Sequence, residues 1–456
     1  MFFDLVFRNG NITTGNGVFR GSIGVSGGKI AAVAGAGTEL DGREVVDAKG
    51  RMLLPGLIDA HSHAGHGDPD RENFADYSRA CAAGGITTFI DMPLSNPSTL
   101  TVERLQEKID TSGSESFVDY ALYGGVVPGY LEHIEPMTKA GVGAFKAFTC
   151  RCSNYPMTDD GTLLAGMKIL ERTGGILSVH AENDTLIQHL VDELRAAGKN
   201  GPRAFLDSHP PYSELEAIQR VFFLAKYAPK CRVHIAHMSI PEGMELLRRL
   251  RGEGVPNISA ETCPQYLGMC EEDLEHIGAL AKCDPPVRSR EAVEKVWEHV
   301  LDGTVDIVAS DHSPHPFSRK TGREDDFWTV AEGCTGIQTM LPVVLTEGRK
   351  RGLSWERLVR LMAERPAELF GLKGRKGLLA PGCDADILLL DPEKEWTLRS
   401  EDLLHLVKQS PFAGRTFKGR VERAYVRGRL VYDDGAPEKI VGEKGWGRFT
   451  PMEDAR

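Results

Sequence analysis

The pattern of hydrophobic and polar positions changes twice along the chain. The first fifty or so residues contain short alternating runs separated by Gly-Asn and Gly-Gly pairs, which predict strands at 5–8, 23–25, 29–33 and 44–47. From residue 53 to about 372, apolar runs of strand length alternate with amphipathic helical stretches. After residue 372 the pattern returns to strands, at 385–390, 420–426 and 429–432. The middle region is typical of repeated βα units around a parallel sheet.

One βα repeat illustrates the pattern. Residues 213–216 read Ser-Glu-Leu-Glu, a capping box that predicts the start of a helix continuing through Tyr227. The apolar run at 231–235 then predicts the next strand.

The length of the chain sets the domain organisation that we expect. With 456 residues it exceeds a minimal single core, and it is within reach of one large barrel with a smaller appendage. The two β-rich ends flank the whole βα region, so the economical prediction is that they pair with each other. We therefore predict an α/β chain with a (β/α)8 TIM barrel over 55–372. Residues 1–54 and 373–456 are predicted to form a small composite β-sandwich domain.

Composition excludes several classes of partner. The chain has 54 Lys+Arg against 65 Asp+Glu, a formal net charge of -11, and no basic tract, so we expect no nucleic-acid partner. It begins without a basic segment followed by a long apolar core, and it contains no run of about eighteen apolar residues. Nine scattered cysteines fit reduced thiols. We expect a cytoplasmic protein that binds no membrane.

The candidate chemistry begins at the end of the apolar run 53–58. Asp59-Ala-His61-Ser-His63 follows this run directly, so both histidines fall at the end of a predicted strand. Residues two apart on a strand point to the same face. Neutral imidazoles are good ligands for divalent metals, and active sites of barrels lie at the carboxyl ends of their strands. The pair therefore indicates a metal site.

Three further polar residues follow later strand-like runs. His180 comes after 176–179, His237 after 233–236, and Asp311 after 305–309. A lone histidine after an apolar run is more often a core or rim residue than a ligand, but four such coincidences in chain order favour one shared site. His234 is the rival of His237, and we prefer His237 because His234 lies inside the strand rather than past its end.

Lys146 lies in the apolar run 142–148, where an unpaired ammonium would be costly. One interpretation is a lysine that reaches the surface with its charged end. Another is a carbamate, formed with carbon dioxide, whose two oxygens bridge two cations. Composition leaves both open.

At these positions the chain resembles the cyclic amidohydrolases: dihydroorotases, dihydropyrimidinases, hydantoinases and allantoinases. The resemblance extends from the first strands to 377–386, and it rests on an ordered set of residues that matches the binuclear site of that superfamily: Asp59, His61, His63, Lys146, His180, His237 and Asp311.

The resemblance implies a role for each member of this set. His61 and His63 would bind one divalent ion and His180 and His237 the other, with carbamylated Lys146 as the bridge. Asp311 would ligate the first ion and act as the catalytic proton shuttle. Imidazole-rich ligation favours zinc, although cobalt, manganese or iron(II) could serve. The resemblance also implies a homo-oligomer, a tetramer or a dimer.

Among the subfamilies, the chain is most similar to the allantoinases. The segments that carry this similarity are 92–94, 209–218, 275–288, 310–314 and 410–415. Dihydroorotases usually place an arginine two residues after the second histidine, where this chain has Gly65. Dihydropyrimidinases and hydantoinases usually place a tyrosine five residues after the lysine, where this chain has Arg151. The segments 64–68 and 330–336 depart from the allantoinase pattern.

The implied activity is hydrolysis of a small cyclic ureide, with (S)-allantoin opened to allantoate. The alternatives are a hydantoinase, dihydropyrimidinase-like or cyclic imide hydrolase, and a non-catalytic scaffold of the same fold, which the six filled ligand positions disfavour. One hypothesis is that Arg151 binds a ureido group of the substrate. The alternative, of equal weight, is that Arg151 is an ordinary charged residue on the surface. The expected substrate contacts are Arg151, Asp284, Ser313 and Gly333.

Overall fold

The computed structural model of the chain describes residues 2–64, 71–152, 155–255, 257–323 and 325–453. Its strands form one sheet built from both ends of the chain and one parallel barrel built from the middle. This arrangement confirms the predicted fold class. The boundaries of the two predicted domains, at 54/55 and 372/373, stay a prediction.

The terminal sheet contains eight strands among the described residues: β1 Phe2–Thr14, β2 Gly17–Ser26, β3 Lys29–Gly35, β4 Asp41–Asp47, β5 Met52–Pro55, β15 Ile387–Thr397, β16 Thr416–Val426 and β17 Arg429–Asp433. Their order is β17-β16-β15-β5-β1-β2-β3, and β4 runs parallel to the first half of β1. The two ends of the chain meet where β5 pairs antiparallel with β15, with Leu53 opposite Leu389. Each predicted strand exists, and most are longer than predicted.

The barrel strands are β6 Leu57–Ser62, β7 Ile86–Asp91, β8 Asp119–Leu122, β9 Gly124–Gly125, β10 Ala144–Phe148, β11 Ile176–His180, β12 Arg232–Ile235, β13 Ile258–Thr262 and β14 Ile307–Val308. Neighbours in this series pair in parallel, and β8 and β9 are two halves of one strand position on either side of Tyr123. The barrel closes between its last and first strands, where Asp311 N donates to His61 O at 3.0 Å.

The apolar run 53–58 is divided between the two sheets, which its sequence pattern does not reveal. β5 belongs to the terminal sheet and β6 to the barrel, and only Gly56 separates them. A Cβ at Gly56 would lie 2.0 Å from Thr87 Oγ1, so a side chain here would force the barrel and the sheet apart. Gly56 N also donates to Asp386 O at 2.8 Å.

The helices surround the barrel: α1 Phe74–Ala83, α2 Val102–Gly113, α3 Ile134–Lys139, α4 Asp160–Thr173, α5 Asp184–Ala196, α6 Pro202–Ser208, α7 Pro211–Ala225, α8 Pro241–Gly252, α9 Pro264–Gly268, α10 Glu271–Ile277, α11 Arg290–Asp302, α12 Phe317–Lys320, α13 Met340–Lys350, α14 Trp355–Val359 and α15 Arg365–Leu369. A π-helical turn, Arg360–Glu364, joins the last two. None of these helices, in the part of the chain described, has the length and apolarity that crossing a bilayer would need.

The predicted capping box at the start of α7 is wrong. The helix begins at Pro211, two residues earlier, and the Ser213 hydroxyl donates to Pro210 O at 2.8 Å. Proline suits the first helical position because its φ is already helical and its missing N–H would have no partner there. The helix ends at Ala225 rather than Tyr227.

A buried cation joins the terminal sheet to the barrel. Lys376 Nζ lies 2.5 Å from Asp119 Oδ2 at the start of β8, 3.1 Å from Asp384 Oδ2 and 2.8 Å from Asp386 Oδ2. Burial alone would lower the pKa of Lys376, but the three carboxylates raise it above its usual value. Lys376 is the one cation that contacts all three carboxylates among the described residues, while Arg427 also pairs with Asp119 and Lys29 with Asp384.

We expect Lys376→Met to destabilise the protein strongly. Removing one partner of a buried ion pair costs about 3–5 kcal/mol. Asp119 would keep Arg427 and Asp384 would keep Lys29, but the buried Asp386 would lose the cation that pairs with it. Urea unfolding followed by tryptophan fluorescence measures the loss. Lys373→Met is the matched control, since Lys373 is exposed and pairs with Glu368 at 3.4 Å. Equal stability of the two variants would contradict the prediction.

Candidate metal centre and active site

A cavity of about 410 Å³ opens at the carboxyl ends of the barrel strands. It is lined by nine of the ten residues predicted as metal ligands or substrate contacts: His61, His63, Arg151, His180, His237, Asp284, Asp311, Ser313 and Gly333. The tenth, Lys146, lies on β10 and is fully buried. The structure therefore brings together residues that are up to 272 positions apart in the sequence, as the numbers of His61 and Gly333 show.

His61, His63 and Asp311 form the first group of predicted ligands. His61 Nε2 lies 3.4 Å and His63 Nε2 3.3 Å from Asp311 Oδ1, so one nitrogen of each ring faces the same carboxylate oxygen. Burial lowers the pKa of His61 to about 4 and that of His63 to about 3. Both imidazoles are therefore neutral, which is the form that binds a metal.

His180 and His237 form the second group. Their ring centroids are 4.5 Å apart, and the ring of His237 lies 5.2 Å from that of His61, so the two groups adjoin. Burial also lowers the pKa of His180, to about 4, and that of His237. His237 Nδ1 is buried and has no hydrogen-bond partner among the described residues.

Two of these residues have backbone conformations that side chains rarely adopt. His237 has φ 33° and Asp311 has φ 46°. Such conformations cost about 1–3 kcal/mol each, and they persist where the surrounding structure imposes them, as it does at many active sites. His237 lies two residues after the end of β12 and Asp311 three residues after the end of β14, and both side chains line the cavity.

Lys146 fits a bridging carbamate better than a surface lysine. Its side chain is fully buried on β10, and Nζ has no hydrogen-bond partner among the described residues. Nζ lies 5.0 Å from the ring centroid of Phe148, on the side of the barrel where the four histidines lie. Burial lowers the pKa of Lys146 to about 8, which increases the neutral amine that reacts with carbon dioxide. Four neutral imidazoles, one carboxylate and this amine together suit two divalent cations.

The structure separates His237 from its rival His234. His234 is fully buried inside β12, where its Nδ1 lies 2.8 Å from Ser259 Oγ and its Nε2 lies 3.1 Å from Glu261 Oε2. Both ring nitrogens therefore have protein partners. His237 lines the cavity and His234 does not.

Sequence reasoning missed Glu261, a buried carboxylate that contacts two of the predicted ligands, His61 and His237. Glu261 lies on β13 and is fully buried, and its Oε1 makes a short hydrogen bond with His61 Nδ1 and accepts from His237 N at 3.1 Å. A ligand histidine commonly donates its other N–H to such a carboxylate, which fixes the ring and its tautomer. The one signal in the sequence is an acidic residue within the apolar run 258–262.

Asp59 has a similar supporting role where the first and last strands of the barrel meet. Its carboxylate accepts from Ser310 N at 2.8 Å and from Ser310 Oγ at 2.5 Å. These bonds fix the backbone next to Asp311. The resemblance included Asp59 in the ordered set, and the geometry gives it a structural task rather than a place in the cavity.

The four expected substrate contacts lie on the cavity wall, on different loops. Arg151 is mostly exposed, and its Nε pairs with Asp184 Oδ2 at 3.2 Å. Ser313 N donates to Cys334 O at 2.9 Å, and Gly333 N donates to Lys282 O at 3.0 Å. Gly333 has φ 138°, and a Cβ there would lie 2.5 Å from Ser313 O, so this loop needs glycine. Arg71, His315, Arg319 and Trp328 also line the cavity and were not predicted.

Gly65 stands where dihydroorotases usually have an arginine. It lies outside the described residues, as does most of the segment 64–68. Their contribution to the cavity stays a prediction.

Comparison with known proteins identifies the family. A model of the amidohydrolase family matches residues 52–431. An allantoinase from Rubrobacter xylanophilus is 42% identical over 442 residues, which are 95% of each chain. An L-hydantoinase from Paenarthrobacter aurescens is 37% identical over 455 residues, 98% of each chain. The structure of an L-hydantoinase (dihydropyrimidinase) from Arthrobacter aurescens superimposes with a TM-score of 0.95 at 37% identity, over 99% of this chain and 100% of that one. The chain therefore belongs to the amidohydrolase family.

Proposed function

We propose that this chain is a binuclear-metal hydrolase that opens a five-membered cyclic ureide, with (S)-allantoin converted to allantoate. The observation that carries the proposal is the convergence on one cavity of four neutral imidazoles and Asp311, with the amine of Lys146 buried beside Phe148 of the cavity wall. The choice of ring is supported by allantoinases such as that of Rubrobacter xylanophilus, which match the chain over 95% of its length.

In the proposed centre, His61, His63 and Asp311 hold one cation, His180 and His237 hold the other, and carbamylated Lys146 bridges them. We propose zinc, with cobalt, manganese or iron(II) as the other candidates that this donor set accepts. When bound, such a pair of cations supplies an activated water and polarises the carbonyl of the substrate. Metal analysis of the purified protein tests the metal, and light scattering tests the proposed tetramer or dimer.

Asp311 is the residue proposed to move the proton. Its carboxylate accepts a proton from the attacking water as the oxygen bonds to the ring carbonyl carbon. It then donates that proton to the ring nitrogen as the C–N bond breaks, which makes an amide nitrogen a tolerable leaving group. Its side chain lines the cavity, and its Oδ1 lies 3.4 Å from His61 Nε2 and 3.3 Å from His63 Nε2, beside the proposed metal ligands.

A substrate profile tests the proposed function. Metal-replete protein grown with ample bicarbonate is assayed with allantoin, hydantoin, dihydrouracil and a cyclic imide. We expect allantoin to be hydrolysed with the highest kcat/KM. A hydantoinase is the second candidate, supported by the L-hydantoinase that matches 98% of the chain at 37% identity. Turnover of hydantoin with allantoin inert would replace the first candidate by the second, and no turnover of any ring would favour the scaffold.

We expect Arg151→Ala to lower kcat/KM for allantoin about tenfold and to leave hydantoin unaffected. Arg151 lies at the cavity mouth, where its guanidinium could donate to the carbonyl of a ureido group that hydantoin lacks. A hydrogen bond from a charged group contributes about 1.5–3 kcal/mol, and solvent exposure places this one at the low end. The control is Arg172→Ala on the exposed face of α4. Equal loss on both rings would count against this role.

A further inference from the structure

A second cluster of ligating side chains lies behind the wall of the cavity, outside the proposed binuclear centre. Glu182, His209 and Asp284 each offer one ligand atom, and these three atoms lie within 4.8 Å of one another. His209 Nε2 is 3.6 Å from Asp284 Oδ1. Glu182 is fully buried and His209 is nearly so. The three residues come from the loop after β11, the end of α6 and the loop before α11, so the fold alone brings them together.

Two carboxylate oxygens of this cluster are acceptors without a donor in the described part of the chain. Glu182 Oε1 and Asp284 Oδ1 have no hydrogen-bond partner among the described residues. The other oxygen of Glu182 is occupied, because His180 Nε2 lies 2.7 Å from Oε2.

His209 offers a third lone pair in one of its two neutral tautomers. Its Nδ1 lies 3.1 Å from Phe205 O, which can only accept, and 2.8 Å from the Ser208 hydroxyl. With the proton on Nδ1, both the ring and the Ser208 hydroxyl donate to Phe205 O. In this tautomer, Nε2 points a lone pair toward Asp284.

The neighbouring cations of the protein are engaged elsewhere. Arg288 pairs with Glu214 at 2.8 Å and donates to Ser239 Oγ and to His209 O. Lys282 Nζ pairs with Glu332 Oε1 at 3.2 Å, and Arg151 pairs with Asp184. Buried carboxylate oxygens without donors are costly. Protons would satisfy all three atoms only if one were shared by the two carboxyl groups and a second were bound to His209 Nε2, whereas one divalent cation satisfies them together.

A route from solvent to this cluster exists. A side cavity of about 170 Å³ adjoins the main cavity and is lined by His209 and Asp284, together with the carboxylates of Asp184 and Glu332. Its lining carries three carboxylates against the two guanidinium groups of Arg151 and Arg195, and this excess of negative charge favours the entry of a cation. One imidazole and two carboxylates are a donor set that zinc and manganese accept.

We propose that Glu182, His209 and Asp284 form a third divalent-cation site, separate from the two cations of the catalytic cavity. A cation there would fix Glu182 against His180 and hold Asp284 in the cavity wall. The site would thus set the position of one proposed ligand and of one expected substrate contact without touching the reacting atoms. The proposal does not depend on which ring the enzyme opens.

Metal counting tests the site. Metal-free full-length protein is loaded with Zn²⁺, separated from free metal by gel filtration, and analysed by mass spectrometry for zinc per chain. We expect His209→Asn to bind one equivalent less than the wild type. His189→Asn is the matched control, because His189 is exposed on α5 and pairs only with Glu193 at 3.5 Å. Equal zinc content in all three proteins would overturn the proposal, whatever the occupancy of the catalytic pair.

Two further measurements separate loss of the site from loss of folding. Asp284→Asn, which keeps the size of the side chain, should lose the same equivalent while its circular dichroism spectrum is unchanged. Crystals of the zinc-loaded wild type should show an anomalous peak at about 2.0–2.2 Å from the three ligand atoms. A fully loaded Asp284→Asn, or a crystal without that peak, would also overturn the proposal.

Discussion

Lys146→Ala is expected to lower kcat/KM by more than about a thousandfold and to reduce the metal content. The side chain is fully buried, and its amine lies 5.0 Å from the ring centroid of Phe148 in the cavity wall without a hydrogen-bond partner among the described residues. In the proposed centre it would carry the bridge between the two cations. Removing a single preorganised electrostatic group costs about 10²–10³-fold in rate. Losing the bridge should cost more, because it weakens the binding of both cations at once.

Three measurements check this prediction. The first two are kcat/KM and metal content for the variant, with Lys139→Ala as the control, since Lys139 is exposed and pairs with Glu135 at 2.9 Å. The third is the carbon NMR spectrum of wild-type protein prepared with carbon-13 bicarbonate, which should contain a carbamate signal that Lys146→Ala lacks. A variant that kept both its metal and its activity would show that Lys146 is a buried core residue.

Asp311→Asn is expected to lower kcat by about 10²–10⁴-fold, the usual contribution of a positioned acid or base. The amide has nearly the shape of the carboxylate, so it can stay near His61 and His63, but it cannot accept and return a proton. KM should change less than kcat, since the proton moves only during the reaction. Steady-state kinetics measures the two parameters, and metal analysis shows whether the cations are retained.

The control for this variant is Asp302→Asn, at the exposed end of α11. If Asp311→Asn retained wild-type kcat with full metal content, another group would have to carry the proton. If kcat fell only in proportion to lost metal, Asp311 would be a ligand without the proposed role in proton transfer.

The positions of the candidate ligands could be predicted from the sequence because they depend on local order. Each of His61, His180, His237 and Asp311 ends or follows an apolar run, and parallel strands of a barrel present their carboxyl ends on one rim. The position of His237 past its strand, rather than within it like His234, was enough to place it in the cavity. The pairing of the two ends in one sheet was predicted because both ends are β-rich and flank the whole βα region.

The supporting groups could not be predicted because they depend on distant contacts. Glu261 meets His61 across 200 positions of sequence, and Asp59 meets Ser310 across 251. No local pattern marks an acidic residue in a strand as the partner of a particular histidine. The division of the run 53–58 at Gly56 was missed for the same reason, since periodicity measures burial but not which sheet provides it.

The hydrogen bond from Asp311 N to His61 O, which closes the barrel, constrains when the enzyme can mature. His61 lies on the first barrel strand and Asp311 follows the last one, so a ribosome must synthesise more than two thirds of the polypeptide before the two can meet. A nascent fragment ending earlier holds at most an incomplete set of donors. If the proposed ligands hold the cations, metal uptake would have to wait for late synthesis, and truncated translation products would compete poorly for trace metals.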